Sequence, residues 1–206
     1  GLLFVVSGPS GAGKDTVVDA LRKRMPRLRY SVSATTRPPR RDEREGEAYF
    51  FVSPEEFERS QIRGEFLETK EYNGNLYGTP RSFVEKTLAE GYDVIMKPEV
   101  NGALALKAAF PAAVLVFLLP DKFSHLQQRL AERRSESPES IAARLAIADA
   151  EYAAIPHFDY VVINEQTPLE RRDTLSAIDD LEAIVLAERF RIHHYDDAYL
   201  RNLKES

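Results

Sequence analysis

The chain has 206 residues, a formal net charge of −5 and no cysteine. That length fits one domain with insertions and a sizeable core. Disulfides and thiolate metal sites are excluded, and a reducing, cytoplasmic setting is expected. A net negative field disfavours nucleic acid, and no stretch has the length of a membrane span or the pattern of a signal peptide, so neither is expected as a partner.

Gly1 stands directly on a strand, Leu2 to Val6, which predicts a start that has been trimmed or replaced. The glycine-rich run Gly8 to Thr16 follows, then a helix from Lys14 to about Met25 that stops before Pro26. Arg27 to Arg29 read as a solvated link and Tyr30 to Ser33 as a short strand. Thr35 to Tyr49, rich in proline and mixed charge, reads as an ordered surface loop. Tyr49 to Val52 is a strand, and Ser53 with Glu56 forms a capping box that opens a helix reaching about Arg63. Phe66 to Tyr72 is a strand, Asn73-Gly74-Asn75 a turn, and Pro80 to Glu90 a helix closed by Gly91.

Tyr92 to Met96 is an apolar strand, followed by Lys97-Pro98-Glu99 and a helix from Val100 to Phe110. Ala113 to Leu119 is continuously apolar, as a parallel strand covered on both faces must be. Helices are expected over Asp121–Arg133 and Glu139–Tyr152, with a polar break between them at Arg134–Pro138. A last strand, Asp159 to Ile163, precedes a closing helix from Thr167 to about Phe190. Strands alternating with helices predict an α/β fold, a doubly wound parallel sheet flanked by helices. The segment from Ser31 to Thr79, richer in short strands and turns, reads as an inserted α+β lobe.

Strand, glycine-rich loop and helix make Gly8, Pro9, Ser10, Gly11, Ala12, Gly13, Lys14, Asp15 and Thr16 a phosphate-binding loop. The glycines let backbone N–H groups curl toward phosphate oxygens, the helix adds its positive end, and Lys14 adds a full charge. Arg37, Arg40 and Tyr49 form a second anion-binding candidate, because guanidinium forks bind phosphate bidentately. On its own that cluster reads better as a salt-bridged surface loop, the usual fate of mixed charge runs. Glu68, at a strand end before Gly74 to Thr79, changes the balance: a carboxylate accepts two N–H bonds from a guanine edge, which adenine does not offer. Tyr77 suits a phosphate and Thr79 a base.

The pieces G-P-S-G-A-G-K, S-V-S-A-T-T-R-P-P-R, E-G-E-A-Y-F-F, F-L-E, N-G-N-L-Y-G-T, V-N-G-A, E-S-P-E-S-I-A-A-R-L and D-Y-V-V-I-N occur in that order from Leu2 to Asn164. In this the chain resembles the guanylate kinases. The resemblance implies a P-loop kinase core (1–30, 80–122 and 145–190), a GMP-binding lobe (31–79), a helical lid (123–144) and a tail (191–206). It implies that Ser33, Glu68, Thr79 and Glu99 hold guanine, and that Arg37, Arg40, Tyr49 and Tyr77 hold the GMP phosphate. Arg133 and Arg144 match arginines that reach the transferring phosphoryl group, and Asn164 falls where the last strand leads to the adenine pocket. With Lys14 these two arginines form the expected catalytic set. Magnesium is expected to arrive with ATP.

Four departures from the family pattern stand out, the fourth at Arg134. Asp15 replaces a Ser, Lys97 replaces an Asp and Glu99 replaces an Asp. The first two predict a compensated swap, in which Asp15 anchors magnesium and Lys97 pairs with Asp15 or contacts a phosphate. Arg134 stands where the family has Gly, at the expected hinge of the lid. Two rivals remain at this point: a kinase of the same fold with another acceptor such as ribose bisphosphate, and a catalytically impaired binding module. The histidines, His125, His157, His193 and His194, read as exposed helix, loop and tail residues.

Overall fold

The computed structural model describes residues 1–72, 74–120, 149–164 and 175–191. Its larger sheet is five-stranded and parallel, in the order β2-β7-β1-β8-β9: β1 Leu3–Ser7, β2 Leu28–Tyr30, β7 Asp93–Met96, β8 Val114–Pro120 and β9 Tyr160–Asn164. β1 runs down the middle with every residue buried. Alternation of side chains splits it between two cores. Phe4 and Val6 pack with Val17, Val18 and Leu21 of α1 (Lys14–Arg24) and with Leu181 and Val185 of α5 (Leu175–Glu188). Leu3 and Val5 pack on the other face with Val84 of α3 (Arg81–Ala89) and with Ala103 and Leu106 of α4 (Val100–Ala109). A strand covered on both faces has no polar side to show, which is why β1 and β8 are apolar runs rather than alternating ones.

The second sheet has four strands in the order β4-β3-β6-β5: β3 Ala34–Thr35, β4 Phe50–Phe51, β5 Phe66–Tyr72 and β6 Asn75–Pro80. It is antiparallel except between β3 and β4. Helix α2 (Pro54–Ile62) caps it, opened by Ser53, whose Oγ accepts the Glu56 N–H at 3.2 Å. Phe57 of α2 stacks on Phe66 of β5 with ring centres 4.5 Å apart. Gly78 of β6 passes beneath them, where a Cβ would lie 2.9 Å from the Phe66 ring.

Most expected elements appear within a residue or two of their expected ends. One does not: the strand expected over Tyr30–Ser33 is at Leu28–Tyr30, inside the stretch read as a solvated link. Leu28 is buried and β2 pairs with β7, Leu28 opposite Asp93, so one apolar residue between two arginines decides the register. The expected helices over Asp121–Arg133 and Glu139–Tyr152 lie outside the described residues except for 149–152, which are helical. Asn73 and the start of the closing helix also lie outside them, as does the tail beyond residue 191.

Candidate active site

The loop after β1 is built by backbone geometry that only its glycines permit. Gly8 has φ 139°, and a Cβ there would sit 2.2 Å from the Leu118 carbonyl oxygen of β8. The Ala12 N–H donates back to the Pro9 carbonyl at 3.1 Å, and Gly13, left-handed at φ 91°, is the N-cap of α1. The loop therefore ends on the free N–H groups of a helix start, an anion-attracting arrangement. Two side chains fix it to the sheet. Ser7 Oγ donates to the Pro98 carbonyl at 2.9 Å, and the buried Asn164, at the end of β9, donates Nδ2 to the Ala12 carbonyl at 2.8 Å. Ser10 and Thr16 are exposed. Lys14 curls over the loop, its Nζ donating to the Gly8 and Pro9 carbonyls at 2.5 and 3.1 Å. Burial pushes its ammonium below the usual lysine range, while Glu151, Asp15 and Glu99 pull it back up.

Facing Lys14 is a cleft of about 400 Å³ between the two sheets. All the residues expected on the acceptor side line it: Ser33, Arg37, Arg40, Tyr49, Glu68, Tyr77, Thr79 and Glu99. At one end Arg37 is gripped by Glu43, its Nη2 lying 2.7 and 2.9 Å from the two carboxylate oxygens. Glu43 also accepts the Arg40 N–H at 2.8 Å, and the Arg37 ion pair with that backbone bond holds its carboxyl below the usual range. The Arg37 guanidinium lies 5.4 Å from the Tyr49 ring centre, and the Tyr49 and Tyr77 rings meet edge-on at 5.8 Å. Burial pushes the Tyr49 phenol up, so it remains a hydrogen-bond donor. The salt-bridged loop and the anion cluster are thus one structure, with Glu43 setting the aim of the arginine.

At the other end stands Glu68. The β5–β6 register shifts between Phe66 and Thr69, and such a bulge re-aims the side chain it carries. Glu68 Oε1 accepts the Thr79 hydroxyl at 2.7 Å. Burial pushes its carboxyl above the usual range, opposed by the Thr79 bond and by Lys70. Glu99, the N-cap of α4, pairs with Lys70 at 2.9 Å.

Asp15 and Lys97 form an ion pair at the loop's edge, with the Lys97 ammonium 5.2 Å from the Tyr30 ring centre. Among the described residues no three acidic or histidine side chains gather into a metal cage. Magnesium carried by phosphates needs only one or two carboxylates, and the exposed Asp15 in the first turn of α1 suits that modest share. Arg133 and Arg144 lie outside the described residues. Sequence reasoning passed over Lys70, Glu151 and Ser31. Ser31 lines the cleft, and among the described residues its buried Oγ has no hydrogen-bond partner. Lys70 carried a legible signal, two residues from Glu68 on one strand. Ser31 carried the same signal, two residues from Ser33, whereas Glu151 carried none, since tertiary structure brings it near Lys14.

Comparison with known proteins bears on this geometry directly. A family model described as guanylate kinase matches residues 2–180. The chain belongs to the guanylate kinase family. It is 44% identical over 192 residues to a guanylate kinase of Desulfitobacterium hafniense, covering 93% of this chain and 92% of that one. It is also 44% identical over 205 residues to a guanylate kinase of Symbiobacterium thermophilum, covering 100% of this chain and 94% of that one. A crystal structure of guanylate kinase from Anaplasma phagocytophilum superposes with a TM-score of 0.72 at 30% identity, covering 93% of this chain and 88% of that one. Membership of the family accounts for the P-loop fold, a parallel sheet flanked by helices.

Proposed function

We propose that this guanylate kinase family member moves the γ-phosphoryl group of ATP to the 5′-phosphate of GMP, giving ADP and GDP in purine nucleotide metabolism. The observation that carries the reading is the half-buried Glu68 carboxylate, in a cleft that also holds Arg37 and Arg40 and is lined by Lys14 and Asp15 of the phosphate loop. A GMP phosphate oxygen attacks the γ-phosphorus as the bond to the bridging oxygen breaks, and that oxygen leaves with ADP. The attacking oxygen is already anionic, so no side chain need remove a proton. Catalysis is positioning and charge neutralisation.

In this reading Lys14 and the N–H groups of Gly8 to Thr16 hold the donor phosphates, and Asn164 fixes the loop beneath them. Arg37, Arg40, Tyr49 and Tyr77 hold the acceptor phosphate, and Ser33, Glu68, Thr79 and Glu99 hold guanine. Arg133 and Arg144 are the arginines assigned to the transferring group. Magnesium, when bound with ATP, neutralises charge on the terminal phosphates, and Asp15 is the residue that would help hold it. No described helix is long and apolar enough to cross a membrane, and we assign the protein to the cytoplasm. Neither nucleic acid nor membrane enters this reading as a partner.

A coupled assay of ADP release with GMP, AMP, UMP and ribose bisphosphate as acceptors tests the assignment. Release with GMP far above the others is expected. Release with ribose bisphosphate in its place identifies a different kinase, and GMP binding without ADP release identifies a binding module.

A further inference from the structure

Lys70 is a charged side chain in the cleft that the functional reading does not use. It lines the cleft with Glu68 and Thr79, its Nζ lies 2.9 Å from Glu99, and its side chain is one-third exposed. The base-binding end thus presents two carboxylates and an ammonium.

A guanine edge offers two kinds of group: N1–H and the 2-amino group donate, while O6 and N7 accept. Ionised carboxylates only accept, so Glu68 and Glu99 serve the first kind and do nothing for the second. The Thr79 hydroxyl has already committed its hydrogen to Glu68 at 2.7 Å. A buried purine carbonyl left without a donor weakens binding, and an ammonium beside it satisfies it with a charge-assisted bond.

We propose that Lys70 is a specificity-determining residue whose ammonium, held by Glu99 in the free protein, donates to O6 of the bound guanine. The inference rests on the reading of the cleft as the GMP site. An adenine presents a 6-amino donor at that position, which an ammonium cannot bind and which it repels. Glu68 then selects for the N1–H and 2-amino side of the base and Lys70 for the 6-oxo group, two independent filters on one edge. Glu99 is the positioning residue that keeps the long lysine side chain at the base.

Nucleotides that keep or lack the 6-oxo group separate the Lys70 filter from that of Glu68. Binding to the full chain is measured by calorimetry without ATP, for GMP, for inosine monophosphate (6-oxo, no 2-amino) and for 2-aminopurine riboside monophosphate (2-amino, no 6-oxo). Lys70→Met is expected to weaken GMP and inosine monophosphate about tenfold or more, the range of a charged hydrogen bond. The 2-aminopurine nucleotide is expected to stay within a factor of about two, because no bond to O6 is lost. Lys70→Gln, which keeps a neutral N–H donor at a partly exposed strand position, is expected to weaken the same two nucleotides selectively but by less than Lys70→Met. Equal weakening of all three nucleotides in both variants overturns the proposal, since a purely structural or long-range electrostatic lysine would act on each alike. Unchanged GMP binding overturns it as well. Wild-type protein that binds none of the three overturns the reading of the cleft itself, a failure distinct from the loss of Lys70 selectivity.

Discussion

Asp15 and Lys97 show how little a single ion pair can mean for stability and how much for a site. The Asp15 side chain is 81% exposed and Lys97 22%, and a pair in that setting contributes at most about 1 kcal/mol to folding. Its consequence is the placement of charge beside the phosphate loop. Asp15→Ser leaves Lys97 without its partner, and Lys97→Asp sets two carboxylates side by side. We expect each single variant to lose phosphoryl-transfer activity and the double variant to recover part of it, a coupling of about 0.5–3 kcal/mol. Singles without effect, or losses that simply add in kcal/mol, would show that the pair has no shared role. This contact was legible in the sequence, because an acid replaces a serine and a base replaces an acid at two positions of a known pattern. The grip of Glu43 on Arg37 and of Glu99 on Lys70 was not. Arg37 and Glu99 looked like ligand contacts by type, and only the folded loop and strand show that Glu43 and Lys70 hold them.

At the level of elements, local chemistry was enough wherever it acted alone. Ser53 and Glu56 announce α2, and Ser53 Oγ does accept the Glu56 N–H. Ser53→Ala is therefore expected to cost about 1 kcal/mol, read as a lower urea midpoint with an unchanged slope. An unaltered midpoint would mean that stacking of Phe57 on Phe66, and not the cap, sets the start of the helix. Where pairing decides, the sequence was weaker. The β2 strand lies two residues earlier than its alternation suggested because β7 supplies the register. The bulge that turns Glu68 into the cleft leaves no mark in F-L-E-T-K-E-Y, since a bulge is a property of two strands together.

Across the whole molecule the two sheets divide the work. The parallel sheet carries the phosphate loop at the ends of its strands, where open α/β sheets bind ligands. In the proposed function the second sheet carries most of the groups that choose the acceptor. Helix α4 joins them, and its Gly102 leaves room for Glu68: a Cβ there would lie 3.4 Å from the Glu68 carboxylate and 3.2 Å from Pro98. With a net charge of −5, attraction of two anionic nucleotides is local to the cleft and does not come from the molecule as a whole. The central claim is that this cleft takes GMP through the Glu68 carboxylate. Its most direct test is the ratio of kcat/KM for GMP to that for AMP, measured in the wild type and in Glu68→Gln. Mismatching a buried acceptor costs about 1–3 kcal/mol, so the ratio is expected to fall by roughly ten- to a hundredfold, almost all of it through GMP. A ratio that stays the same in Glu68→Gln would contradict the account.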